Sequence, residues 1–165
     1  MNDFNPTLNG FTSSVDFDIS QFSGRFTQTV MPRLALIDDD GVFNARTFLI
    51  AKRHQIPINT FLTQDQFLSA PRENFDVIII DFFLSAMTGA EVANILRAEK
   101  YEQPLILISG NVRPFELIQE ENFADWISKQ KPIDQILWRA VNLYRHQQGS
   151  SEMKKLIKKV ANSIK

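Results

Sequence analysis

Three short apolar runs constrain this chain more than anything else in it, because each one stops on a polar residue. Leu34-Ala35-Leu36-Ile37 runs into Asp38, Val77-Ile78-Ile79-Ile80 into Asp81, and Leu105-Ile106-Leu107-Ile108 into Ser109. Four apolar residues without alternation do not suit a strand with one wet face. They suit strands of a parallel sheet covered by helices on both sides. Weaker strand signals lie at 59–62 and 126–128. Between them the periodicity predicts helices over 42–54 (through Phe43, Phe48, Leu49 and Ile50), 65–69, 90–100 and 115–121. Pro132 opens a last helix through Ile133, Ile136, Leu137, Val141 and Leu143. Five βα units in succession predict an α/β fold with a five-stranded parallel sheet, doubly wound. Ligands of such sheets bind at the carboxyl ends of the strands, so chemistry is expected just after Ile37, Ile80 and Ile108.

The chain flanking these units differs from them. Residues 1–32 are rich in Asn, Ser, Thr, Asp and Gly, with isolated Phe4, Phe11, Phe17, Phe22 and Phe26 and no lasting period. They predict a flexible N-terminal extension, and residues 33–147 the folded domain. Gln148-Gly149-Ser150 is expected to break the last helix, with Ser151 capping a new one. Over 148–165, Met153, Leu156, Ile157, Val160, Ala161 and Ile164 then share a face, with lysines mostly elsewhere: a basic amphipathic helix. The absence of cysteine excludes a disulfide framework, a thiolate nucleophile and a Cys-ligated metal. A net charge of −1 gives no reason to expect nucleic acid as a partner. No apolar run approaches the roughly 20 residues that cross a bilayer, and the first residues lack the pattern of a secretory leader, so the cytoplasm is the expected location.

Carboxylates crowded at one sheet edge repel one another, which raises the pKa of at least one. A divalent cation relieves that repulsion, and oxygen ligands in partial number suit Mg²⁺. A nearby lysine and hydroxyl suit the charge of a transferring phosphoryl group. One carboxylate then serves as nucleophile, and Asp81, on the central strand, is the natural choice.

Leu-Ile-Asp-Asp-Asp, then Ile-Ile-Asp-Phe-Phe-Leu-Ser-Ala-Met-Thr-Gly, then Leu-Ile-Ser-Gly, then Lys-Pro resembles the receiver domain of bacterial two-component response regulators. Order matches, and so does the spacing of 43, 28 and 22 residues from Asp38 through Asp81 and Ser109 to Lys131. The resemblance covers residues 33–147 and implies the CheY-like, flavodoxin-like (βα)5 fold. It implies that Asp81 accepts a phosphoryl group from a histidine kinase or histidine phosphotransfer protein. Asp38, Asp39, Asp81 and the backbone carbonyl of Phe83 would hold Mg²⁺. Ser109 and Lys131 would bind the phosphoryl group, and Phe83 and Asn111 would modulate its lifetime. Any catalysis would be limited to self-directed phosphotransfer and autodephosphorylation. The sequence departs from the family at Ser85, where proline is usual, and at Thr88, where aspartate is frequent; both changes predict a looser loop. The lysine is also out of step. The Lys-Pro pair favours Lys131 with a one-residue insertion, and Lys129 is the alternative. That insertion blurs the aromatic switch position, for which Trp126 is the nearby candidate.

Two other readings compete. Asp38-Asp39-Asp40-Gly41 also resembles the haloacid-dehalogenase phosphatase motif, with Asp38 as nucleophile and Asp40 as acid/base; no late acidic pair supports it and Asp81 would have no role. A receiver-like scaffold that no longer phosphorylates is the other. His54 and His146 lack ligand spacing and are expected on the surface. The output expected is a protein partner or self-association through the last two βα units and residues 151–165; membrane contact by the tail is the weaker option.

Overall fold

The computed structural model describes residues 30–110 and 120–163. The compact unit that holds the sheet begins at Met31. Its elements are β1 (Leu34–Ile37), α1 (Gly41–Arg53), β2 (Ile58–Phe61), α2 (Gln64–Leu68), β3 (Val77–Asp81), α3 (Gly89–Ala98), β4 (Leu105–Ser109), β5 (Asp125–Ser128) and α4 (Ile133–Ser163). Single 3-10 turns at Arg72–Asn74 and Glu120–Asn122 precede β3 and β5. The strands form one parallel sheet in the order β2-β1-β3-β4-β5. This is the doubly wound α/β arrangement predicted above.

The unalternating runs are buried on both faces, and their period of two divides them between two cores. Leu34, Leu36, Val77, Ile79, Ile106 and Ile108 pack with Ala51 of α1 and with Ile133, Ile136, Leu137, Ala140 and Val141 of α4. Ala35, Ile37, Ile78, Ile80 and Leu105 pack with Phe67 of α2 and Val92, Ala93 and Leu96 of α3. Helices therefore cover both faces, and β3 lies at the centre of the sheet.

Helix α1 turns a different face inward from the one the apolar pattern suggested. Phe48 and Leu49 are exposed, and Asn44, Thr47 and Ala51 are buried, with Phe43 and Ile50 half-buried. A polar group decides this orientation. Asn44 Nδ2 donates to the carbonyl of Asp38 at 2.7 Å and to that of Phe61 at 3.4 Å, tying α1 to the ends of β1 and β2. His54 is half-buried with its ring edge-on to Trp138 at 5.9 Å, rather than on the surface, while His146 is exposed.

The expected break at Gln148-Gly149-Ser150 does not occur, and α4 runs unbroken from Ile133 to Ser163. One glycine inside a helix costs only about 1 kcal/mol, which an otherwise good helix former tolerates. Among the described residues no helix is long and apolar enough to cross a membrane. Residues 1–29, 111–119 (Asn111 and most of the helix expected over 115–121) and 164–165 lie outside the described residues; the last two positions of that expected helix fall in the 3-10 turn Glu120–Asn122.

A Cβ added at Gly149 would meet nothing within 4 Å. Gly149→Ala is therefore expected to stabilise α4 by about 0.5–1 kcal/mol in chemical denaturation followed by circular dichroism. A destabilised variant would mean that the helix does break there.

Candidate functional site

Strand pairing alone sets the first two carboxylates side by side. Ile37 pairs with Ile80, so Asp38 and Asp81 follow on adjacent strands. Asp38 is fully buried and Asp81 is 5% exposed. Ligand oxygens of Asp38, Asp39 and Asp81 lie within 4.8 Å of one another, with Asp39 exposed. Asp40 is not part of this group. Its side chain accepts from the backbone N–H groups of Val42 and Phe43 and so caps α1. The acid/base role considered for Asp40 thus falls to a residue already engaged as a helix cap. Ser109 is fully buried at the end of β4, one position beyond the residue paired with Asp81.

The lysine at this edge is Lys129, and Lys131 is exposed. Lys129 Nζ lies 2.7 Å from Asp38 Oδ2 and 3.2 Å from Asp81 Oδ2. Sheet register explains the choice. Ser128 pairs with Ser109, and the Lys129 N–H donates to the Ser109 carbonyl at 2.8 Å, so Lys129 leaves the strand beside the pocket. The chain then turns back, the Lys131 N–H bonding to the Ser128 carbonyl at 3.0 Å. The Lys-Pro pair that pointed to Lys131 marks the entry to α4 instead. Phe43, which the sequence reading placed only in the helix core, also belongs to the site: its ring centroid lies 4.6 Å from Lys129 Nζ.

Around Asp81 the backbone is close. A Cβ on Gly89 would come within 2.3 Å of the Asp81 carbonyl oxygen, so only glycine fits there. The loop between them is closed by its own hydrogen bonds. Phe83 and Thr88 form an antiparallel bridge, and the Gly89 N–H donates to the Phe82 carbonyl at 2.9 Å. Thr88 and Glu91 form a capping box that starts α3. Ser85 Oγ donates to Asp39 Oδ2. Phe83 is 54% exposed, its ring edge-on to Phe82 at 4.7 Å. Trp126 is half-buried with Phe82, Ala90 and Leu107, and its indole N–H is buried without a hydrogen-bond partner among the described residues.

The charges are imbalanced. Burial pushes the Asp81 carboxyl up to about 6 and neighbouring Asp38 adds to this, with Lys129 pulling the other way. Burial likewise holds Asp38 above the usual carboxylate range against the contact of Lys129. Burial opposes the charge on Lys129, but hydrogen bonding and attraction from the two carboxylates outweigh it and raise its pKa. Among the described residues, Asp81 Oδ1 is buried with no hydrogen-bond partner. An all-oxygen donor set with an open carboxylate oxygen and unmet negative charge fits a hard divalent cation such as Mg²⁺.

No family model matches the chain. Its fold is that of the receiver domains. The Francisella response regulator 1452 receiver domain aligns with a TM-score of 0.61 at 21% identity, over 70% of this chain and 98% of that one. A CheY-like response regulator receiver domain protein from Methanospirillum hungatei aligns with a TM-score of 0.65 at 16% identity, over 73% and 99%. These likenesses are to response-regulator receiver domains, and at this level of identity what they establish is a shared fold. In sequence the chain is similar to the cell cycle response regulator CtrA of Brucella ovis, 24% identical over 123 residues that make up 73% of this chain and 53% of that protein. The chain spans about half the length of the curated relatives it matches.

Because the Asp81 carboxyl is raised from 3.8 to about 6 in the fold, its charged form is disfavoured there relative to the unfolded chain. The metal-free protein therefore gains stability from this group as pH falls from 7 toward 4. Asp81→Asn is expected to be about 1–3 kcal/mol more stable than wild type at pH 7 in EDTA, with the gap closing near pH 4. Urea denaturation at the two pH values checks both the sign and the closing of the gap.

Proposed function

We propose that this chain is the phosphoacceptor module of a two-component or phosphorelay system and that Asp81 receives the phosphoryl group. The observation that supports it most is the meeting of Asp38, Asp39, Asp81, Ser109 and Lys129 at the carboxyl edge of a parallel sheet. An Asp81 oxygen attacks the phosphorus of a phosphohistidine; the P–N bond breaks as the O–P bond forms, and the imidazole leaves with the electron pair. Lys129, already between the two buried carboxylates, moves its charge toward the incoming phosphoryl oxygens. The Ser109 hydroxyl donates to one of them. Asp38, Asp39 and Asp81, with the backbone carbonyl of Phe83, would hold Mg²⁺, which when bound neutralises phosphoryl charge.

The donor is a histidine kinase or histidine phosphotransfer protein, met in the cytoplasm. The phosphorylated form alters the surface of the last two βα units, which a protein partner or a second copy reads. Residues 1–32 and 148–165 flank this module, with residues 148–163 extending α4 as a basic stretch. The protein signals, and its chemistry is limited to acquiring and losing its own phosphoryl group.

The two lysines separate this reading from one based on motif alone. With Mg²⁺ and acetyl phosphate, Lys129→Met is expected to slow phosphoryl uptake by about 10- to 100-fold, and Lys131→Met to stay within about twofold of wild type. Intact-mass time courses measure both. The reverse ranking would contradict the assignment.

A further inference from the structure

Resting on the metal site just proposed, we infer that Ser85 is a positioning residue that holds Asp39 in place as a ligand for the divalent cation. Of the three clustered carboxylates, two are already fixed by burial. Asp38 is locked by Lys129 and by the N–H of Asp40, which donates to its Oδ1 at 3.0 Å; the buried Asp81 carboxylate is held by Lys129 at 3.2 Å. Asp39 is the exposed member. An exposed carboxylate rotates among rotamers and leaves a metal site incomplete for part of the time. Ser85 Oγ donates to Asp39 Oδ2, and in that arrangement the carboxylate lies within 4.8 Å of the other two.

A hydrogen bond between two exposed side chains ordinarily fixes little. Here both backbones are held. The Asp39 side follows β1 directly and is closed by the capping of α1 through Asp40. The Ser85 side is a loop shut by the Phe83–Thr88 bridge, the bond from the Gly89 N–H to the Phe82 carbonyl and the Thr88–Glu91 capping box. The anchored hydroxyl therefore orients the carboxylate. It occupies Oδ2 and leaves Oδ1 for an ion. Outer partners of metal-ligating carboxylates act in this way, and their loss typically lowers metal affinity about 10- to 100-fold. Proline, the usual residue at this position in the family pattern, has no donor to offer. This chain has exchanged backbone stiffness for a direct hold on a ligand.

The test is isothermal titration of Mg²⁺ into the full chain, comparing wild type, Ser85→Ala, Ser85→Thr, Asp39→Asn and the Ser85→Ala/Asp39→Asn double variant. Ser85→Ala is expected to weaken Mg²⁺ binding about tenfold, at the lower end for an exposed partner. Ser85→Thr, which keeps the hydroxyl, is expected to restore it. The melting temperature of metal-free Ser85→Ala is expected to equal that of wild type. In the Asp39→Asn background the alanine is expected to add nothing. Mg²⁺ binding by Ser85→Ala as tight as wild type, or tighter, would overturn the inference while leaving the metal site intact. The same loss in the Asp39→Asn background would also overturn it, because the hydroxyl would then not act through Asp39. If wild type bound no Mg²⁺, the metal site itself would fall and the inference with it.

Discussion

Two carboxylates buried side by side, at the ends of adjacent strands, are the arrangement on which the rest of this structure depends. The apolar runs of β1 and β3 are covered on both faces, so the residue that ends each strand is held in the same dry layer. Two like charges there repel and resist ionisation. One ammonium, from Lys129, lies between them and does not balance them, and Asp39 adds a further negative charge nearby. The site thus has a standing demand for positive charge and, among the described residues, a buried Asp81 oxygen without a hydrogen-bond partner. In the function proposed here a divalent cation would meet the first, and transfer of a phosphoryl group would use the second. On that proposal, the tension that costs stability in the resting protein is the same feature that would prepare Asp81 to react.

The surroundings of the pocket are built to hold this tension in register. Gly89 lets α3 start against the Asp81 carbonyl, Asn44 pins α1 to the ends of β1 and β2, and Phe43 lies over the Lys129 ammonium. The loop after β3 is held by local hydrogen bonding. Thr88 starts α3 with a capping box, and Ser85 reaches across to Asp39.

What could be read directly from the chain was whatever hydrophobic patterning controls. Unbroken runs of four apolar residues identified the central strands, and the polar residue ending each run identified the pocket. Features set by register or by single hydrogen bonds were not legible. Trp126 and its neighbours in β5 are half-buried on a short edge strand, so nothing in the pattern fixed whether Lys129 or Lys131 would follow at the pocket; the pairing of Ser128 with Ser109 decided it. The inner face of α1 was misread because Asn44 and Thr47 are buried for their position and bonding rather than their hydropathy. Gly149 was read as a stop, yet with no cap motif or proline after it, the helix had no physical reason to end there. The Phe43–Lys129 contact joins residues far apart in the chain, and no local signal announces it.

The measurement that tests the central claim most directly is chemical mapping of the phosphorylated residue. The protein is incubated with Mg²⁺ and acetyl phosphate, trapped with borohydride and sequenced by peptide mass spectrometry. Modification at Asp81 that depends on Mg²⁺ is the result this account predicts. Modification at Asp38 would contradict it and favour phosphatase chemistry, and no modification at any carboxylate would mean that the fold has kept the pocket without the reaction.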